Sequence, residues 1–318
     1  MTYSQILFET LDVTSPIFTL VFMGWCLSKI GWLSSQFINS ASNLIFSLFL
    51  PILIFHSILK MDVANELNWH VIFFGWGFSL VTFLVAWLLV IKTDAPPSDK
   101  GVFVQGAFRS NLGILGIALC FNSYGDAGSG TAALILAMVT PLFNVLSVIV
   151  LSHYQHDSTG FDLKGVLVNI AKNPLIIAIM IALPISYLGI ALPGWVHKPI
   201  ASIADMTLPL ALLCIGGSLD LKALRNASYL SVMSTGLKLM IFPALAALGC
   251  VIVGFDSLTV GVVYLMFASP TAAASFVMAK AMSGNATMAA NIIALSTVLS
   301  AFSVSFGLFV LKSLGWAL

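Results

Sequence analysis

Long apolar runs alternate along the chain with short polar or turn-rich connections. The runs fall near 13–30, 37–59, 69–91, 101–121, 130–152, 174–192, 200–219, 229–253, 258–280 and 286–311. A helix needs about 20 mostly apolar residues to cross a hydrocarbon core. The runs are continuous rather than alternating, which excludes a transmembrane β-barrel. The pattern therefore predicts an all-α polytopic membrane protein with ten transmembrane helices. The longest connection, around His153–Asn173, carries Phe161, Leu163, Leu167 and Ile170 at helical spacing, which predicts an amphipathic stretch lying at the interface.

Composition agrees. Of 318 residues, 59% are hydrophobic and 8% charged, against about 25% charged in soluble domains. The net charge is +1 and no basic patch occurs, which argues against a nucleic-acid partner. Cys26, Cys120, Cys214 and Cys250 stand singly inside apolar runs, a pattern of neither a disulfide scaffold nor a metal site. Met1–Asp12 has no basic region ahead of the first apolar run, so the expectation is a retained first span rather than a cleaved signal peptide. With ten spans both termini share one face. That face carries Lys60, Lys198 and Lys312, whereas the opposite face carries Lys29, Lys92, Lys100, Lys164, Lys172, Lys222, Arg225 and Lys280. The richer face is expected in the cytoplasm, and both termini on the non-cytoplasmic side of the inner (cytoplasmic) membrane.

A repeat recurs at an offset of 158 residues. It relates Pro16 to Pro174, Gly31 to Gly189, Leu50-Pro51 to Leu208-Pro209 and Asp62 to Asp220. The chain then divides into 1–158 and 159–318, each half holding five spans. An odd number of spans makes the second half enter the membrane from the opposite side, the inverted-repeat plan of many secondary transporters.

Both halves carry a helix breaker at the corresponding place. In the fourth span it is Arg109-Ser110-Asn111-Leu112-Gly113, and in the ninth it is Ser269-Pro270-Thr271. At ~1.5 Å per residue both breaks lie about 15 Å into their spans, near the middle of the membrane. Backbone freed at that depth is tolerated only where protein packs on it or a cavity is wet. The half-helix N-termini also carry partial positive charge, which suits an anionic or polar solute. A pair of ordinary packing kinks is the plainer alternative.

Few polar groups lie inside the spans. Lys238, Arg109 and Asp205 are the charged ones, and a charge at such depth is a functional candidate. Two readings of Lys238 stand: it attracts substrate or pairs with an acid, or it bonds to freed carbonyls. For Arg109, an anion contact and a structural tie are equally open. Asp205, a turn into the seventh span, reads as interfacial. His56 sits four residues from Lys60 near the outer boundary, with a proton relay as its minority reading. Asn144 follows Pro141 in the fifth span, and Thr271 and Ser275 flank the second break. No His-Glu-x-x-His, Gly-x-Ser-x-Gly or phosphate loop occurs, so no enzyme activity, cofactor or metal is expected.

Asn111-Leu112-Gly113-Ile114-Leu115-Gly116-Ile117 and Pro141-Leu142-Phe143-Asn144-Val145-Leu146-Ser147-Val148 resemble the auxin efflux carrier family. So do Lys172-Asn173-Pro174-Leu175, Leu208-Pro209-Leu210-Ala211-Leu212, Gly216-Gly217-Ser218-Leu219, and Lys238-Leu239 ahead of Pro243. The family belongs with the bile-acid, arsenite and riboflavin transporter superfamily. The likeness covers essentially the whole chain. Ala118 stands where family members often carry proline, and the short central connection points to a compact bacterial-type member. The resemblance implies crossing broken helices four and nine, a scaffold of helices one, two, six and seven, and a transport domain of helices three to five and eight to ten. It implies a secondary transporter for a small organic anion, such as a malate- or malonate-like carboxylate, working by elevator-type alternating access on proton or potential energy. By its motifs it places Asn111 and Ser269-Pro270-Thr271 at the crossover, with Asn144 as the fifth-helix contact; the reading of the residues themselves adds Gly113 and Ser275 at the substrate and Arg109, Lys238, Asp205 and His56 as candidates for charge or coupling. The partners expected are the anion, protons, lipid and a second copy of the chain. A sodium-coupled symporter of the bile-acid type and a non-transporting membrane sensor are the rival readings.

Overall fold

The computed structural model describes residues 3–60, 69–154, 174–219 and 227–317. The described residues are helical apart from their connections, with one isolated β-bridge. Helix α1 spans Tyr3–Lys29, α2 Ser35–Leu44, α3 Leu50–Lys60, α4 Trp69–Ile91, α5 Pro97–Phe108 and α6 Ile117–His153. They are followed by α7 Pro174–Tyr187, α8 Gly194–Gly217, α9 Tyr229–Gly236 and α10 Phe242–Val253. The last three are α11 Ser257–Ala268, α12 Ala274–Ala281 and α13 Ala286–Ser313. Six helical runs among the described residues are long and apolar enough to cross a membrane, and α1, bent by 42°, makes a seventh. Large apolar side chains such as Phe8, Phe22, Leu88, Phe302 and Phe306 point outward, as a lipid-facing surface requires.

Three five-residue π-helical turns interrupt these runs, at Ile45–Phe49, Leu112–Gly116 and Leu237–Ile241. Two have a common cause. Proline lacks an N–H and collides with the carbonyl four residues earlier. For Pro51 that carbonyl belongs to Ser47, and for Pro243 to Leu239; each lies inside a widened turn that relieves the clash. The bend of α1 falls one turn ahead of Pro16 for the same reason. Within α6 the break is at Gly125, whose φ of 60° suits glycine, and the helix resumes in a new direction.

Several boundaries differ from the hydropathy pattern. The first helix begins at Tyr3 rather than near residue 13, and its polar side chains are satisfied on the helix's own carbonyls: Thr10 Oγ1 donates to Ile6 O at 2.8 Å. Helix α7 ends at Tyr187 rather than 192, since Gly189 turns left-handed at φ 63°. Helix α8 starts at Gly194 rather than 200, after Pro193 pre-sets its entry. Asp205 therefore lies eleven residues into α8, not one turn in. The amphipathic stretch Phe161–Ile170, and Asp62, Lys164, Lys172, Asp220, Lys222 and Arg225, lie outside the described residues.

The 158-residue offset has structural counterparts. Helices α1 and α7 end at Lys29 and Tyr187, and each is followed by a left-handed glycine, Gly31 at φ 85° and Gly189 at φ 63°. Thr207 Oγ1, which donates to Ile203 O at 2.8 Å, also lies 3.2 Å from the carbonyl oxygen of its offset partner Phe49.

Helices α1 and α8 touch backbone to backbone. A Cβ on Gly216 would stand 1.8 Å from Val21 O, and one on Gly24 would stand 2.1 Å from Leu213 O. Neither backbone can yield as a flexible side chain would. We expect Gly216→Ala to lower stability by about 3 kcal/mol, the upper range for overpacking, seen as a lower unfolding temperature in detergent. Gly77→Ala is the control, because a Cβ there meets nothing within 4 Å. Equal unfolding temperatures for the two variants would show that α1 and α8 are not held this closely.

Candidate functional site

Helices α5 and α11 end inside the protein. The last eight residues of α5, from Gly101, and the last ten of α11, from Thr259, are all buried. A helix apolar all round must be enclosed, and these two are. Beyond them the chain is extended. Pro270 disfavours a helical residue before it, and Ser269 accordingly sits at ψ 144°. The first break has no proline. There Asn111 stops the extended stretch by capping the next turn, its Oδ1 accepting from Ile114 N–H at 3.3 Å.

The two extended segments cross antiparallel. Asn111 N–H donates to Pro270 O at 2.7 Å and Ala272 N–H to Arg109 O at 3.2 Å, with Ser110 opposite Thr271. Backbone groups freed by one break are thus satisfied by the other. The side chains repeat the exchange. Thr271 Oγ1, from the second break, donates to Gly106 O in the last turn of α5 at 2.8 Å. Ser110 Oγ, from the first break, donates to Phe267 O in the last turn of α11 at 3.4 Å. Ser269 Oγ turns back to Met266 O at 2.8 Å, and Thr271 N–H donates to Ser296 Oγ of α13 at 3.1 Å.

Lys238 completes this crossing. It stands in the π turn between α9 and α10, 1% exposed. Its Nζ donates to Phe267 O at 2.6 Å and to Ser110 Oγ at 2.5 Å. The ammonium therefore sits at the C-terminal end of α11, where the helix dipole favours a cation. Of its two sequence readings, bonding to freed carbonyls is the geometry found. Arg109, 5% exposed, turns the other way. Its Nη1 donates to Phe143 O at 3.3 Å and Ser147 Oγ at 3.0 Å, and its Nη2 to Asn144 Oδ1 at 2.6 Å. The guanidinium thus ties the first break to α6 beyond Pro141.

The structure brings Arg109, Asn111, Asn144, Lys238, Ser269, Pro270 and Thr271 into one hydrogen-bonded region. Asn111 and Gly113 remain partly accessible, whereas Ser269 and Thr271 are buried with their hydroxyls bonded to helix carbonyls. Ser275, in the first turn of α12, is buried, and its Oγ has no hydrogen-bond partner among the described residues. His56 and Asp205 are not part of the crossing; they line a separate cavity between α1, α3, α6 and α8. Ser110, Ser147 and Ser296 are site residues that the sequence reading did not single out. Ser110 stood between two residues that it did, and Ser147 lies inside the Pro141–Val148 motif.

The model of a family described as membrane transport protein matches this chain twice, over residues 12–159 and 155–308. An uncharacterized transporter of Methanocaldococcus jannaschii is 23% identical over 97% of this chain and 98% of its own length. A second uncharacterized transporter, from Methanothermobacter thermautotrophicus, is 22% identical over 92% of this chain and 95% of its own. A Rhizobium meliloti protein named "Putative malonate transporter" is 23% identical over 96% of this chain and 97% of its own. The two successive matches fall on the two halves separated by the repeat, and together they cover nearly the whole chain. The chain thus belongs to the membrane transport protein family, that of the auxin efflux carriers, and is a multi-pass membrane transporter.

Proposed function

We propose that this transporter moves a small organic anion across the cytoplasmic membrane by elevator-type alternating access. The observation that carries the reading is the crossing of two half-broken helices whose freed groups satisfy each other. Such a crossing keeps irregular backbone stable inside a membrane protein and leaves the turn beginning at Leu112 with a partly accessible Asn111 at its N-terminal end and a partly accessible Gly113 in it. The relative named for malonate supports a carboxylate as the solute.

In this reading α2 with α3, α5 with the first limb of α6, α9 with α10, and α11 with α12 each form one span. The chain then has ten spans in two inverted halves, 1–158 and 159–318. The double family match and the close approach of Thr207 to its offset partner Phe49 support the two halves. Helices α1, α3, α7 and α8 pack closely on one another and serve as scaffold. The crossing helices with α4, the second limb of α6, α9, α10 and α13 form the moving body. Both termini lie on the non-cytoplasmic side, and a proton gradient or the membrane potential drives the cycle. Asn111 and Gly113 orient the solute, with Asn144 and Ser275 at its edge, while Arg109 and Lys238 hold the charge balance of the moving body.

Reconstitution tests this. Proteoliposomes should show saturable counterflow of labelled malonate or malate that responds to an imposed pH gradient or potential and not to sodium. Strict sodium dependence would replace this reading with the bile-acid-type symporter. Binding of carboxylates without flux would replace it with a sensor.

A further inference from the structure

A cavity of about 340 Å³ lies between α1, α3, α6 and α8, apart from the crossing. Its polar lining comes from His56, Ser57 and Lys60 of α3, Asn122 and Asp126 of α6, and Asp205 of α8. His56 and Lys60 are four residues apart and share one helix face. Lys60 Nζ is paired with Asp126 across the cavity at 3.1 Å, and both side chains are partly open to solvent. His56 is 6% exposed, and its Nε2 has no hydrogen-bond partner among the described residues. The ring of His197 lies 5.4 Å from its own. The walls of the cavity are otherwise mostly apolar, and a buried imidazole nitrogen without a partner, on a residue that lines it, is costly unless something pairs with it.

We propose that this cavity is a second carboxylate site, and that the carboxylate is taken up there together with one proton. The inference rests on the carrier reading above. On arrival the carboxylate takes Lys60 from Asp126 and accepts a hydrogen bond from His56. An anion placed between Lys60 and His56 favours the imidazolium, because an opposite charge a few ångströms away stabilises the charged form. The proton comes from solvent and stays on His56, so the bound state carries one anion and one extra proton. The charged and titratable groups facing His56 are Lys60 on its own helix, Asp126 on α6, and His197 and Asp205 on α8. Released Asp126 leaves the scaffold helix α3, so the same exchange unties α6 from α3. Substrate arrival would thereby be linked to movement of the transport body.

The test is calorimetry on the purified full-length protein with malonate as probe, run at one neutral pH in two buffers of different ionisation enthalpy. The wild type should take up about one proton per malonate bound. His56→Gln should bind more weakly with proton uptake near zero. Lys60→Gln should lose at least ~10-fold in affinity. Asp126→Asn removes the competing carboxylate and should tighten binding about 3- to 10-fold, a gain that misfolding cannot imitate. Unchanged affinity and unchanged proton uptake in His56→Gln and Lys60→Gln would overturn the site. Counterflow is measured beside it. Wild-type flux with unaltered variants would sink this site and leave the carrier standing, whereas wild type that neither binds nor moves malonate, malate or succinate would sink both.

Discussion

Lys238→Ala is expected to bring transport in proteoliposomes to background and to lower stability by about 3 kcal/mol or more. Two losses combine. The side chain is 1% exposed, so its removal leaves a cavity. It also deprives Phe267 O and Ser110 Oγ of their shared donor, at the end of a helix where unsatisfied carbonyls already accumulate negative charge. Lys238→Met separates the two effects. Methionine restores the volume and carries no charge to desolvate, and Ser110 Oγ, 3.4 Å from Phe267 O, can remain its donor. The methionine variant should therefore recover most of the stability, read by thermal unfolding in detergent, while flux stays absent. Wild-type flux in Lys238→Met would reduce the lysine to a structural filler and take it out of the transport cycle.

The breaks themselves were legible in the sequence, because proline and glycine act locally. Pro270 dictates the conformation of Ser269 wherever it stands, and Asn111 ahead of Leu112 can cap a turn in any context. What each break touches was not legible. That Thr271 would bond Gly106, 165 positions earlier, depends on how two spans cross, and hydropathy carries no such information. Lys238 shows the same limit: its depth followed from counting residues, but the choice between an acid, a solute and a carbonyl needed the positions of Phe267 and Ser110. Arg109 read equally well as an anion contact or a tie, and the fork to α6 was hidden because its acceptors are an amide, a hydroxyl and a backbone oxygen rather than an acid. Span lengths misled where polar residues continue a helix, as at the start of α1, and where a proline opens one earlier than the apolar run does, as in α8. The tight α1–α8 contact was invisible too, since Gly24 and Gly216 look like any other glycine until Val21 and Leu213 face them.

Arg109→Lys should be the other severe loss, although it keeps the charge. The guanidinium serves three acceptors at once: Phe143 O, Ser147 Oγ and Asn144 Oδ1. A single ammonium cannot reproduce that planar fork, and whichever acceptor it abandons is left buried. We expect a cost of about 2 kcal/mol and at least ~10-fold slower flux. Asn144→Leu attacks the bond from the other side and leaves Arg109 Nη2 charged and unpaired, at a cost of about 3 kcal/mol. Arg109→Met with Asn144→Leu removes charge and acceptor together. The double variant should accordingly be more stable than the summed effects of the Arg109→Met and Asn144→Leu singles predict, by about 1.5–3 kcal/mol. Singles that add to within ~0.5 kcal/mol would mean the two residues share no energy. Flux separates stability from coupling. The first break carries Asn111, and the fork is what makes it travel with the second limb of α6. A double variant that folds well but transports slowly would show that a solute held at the break moves only when that limb moves with it, and a double variant restored in both would show that packing alone keeps the two together.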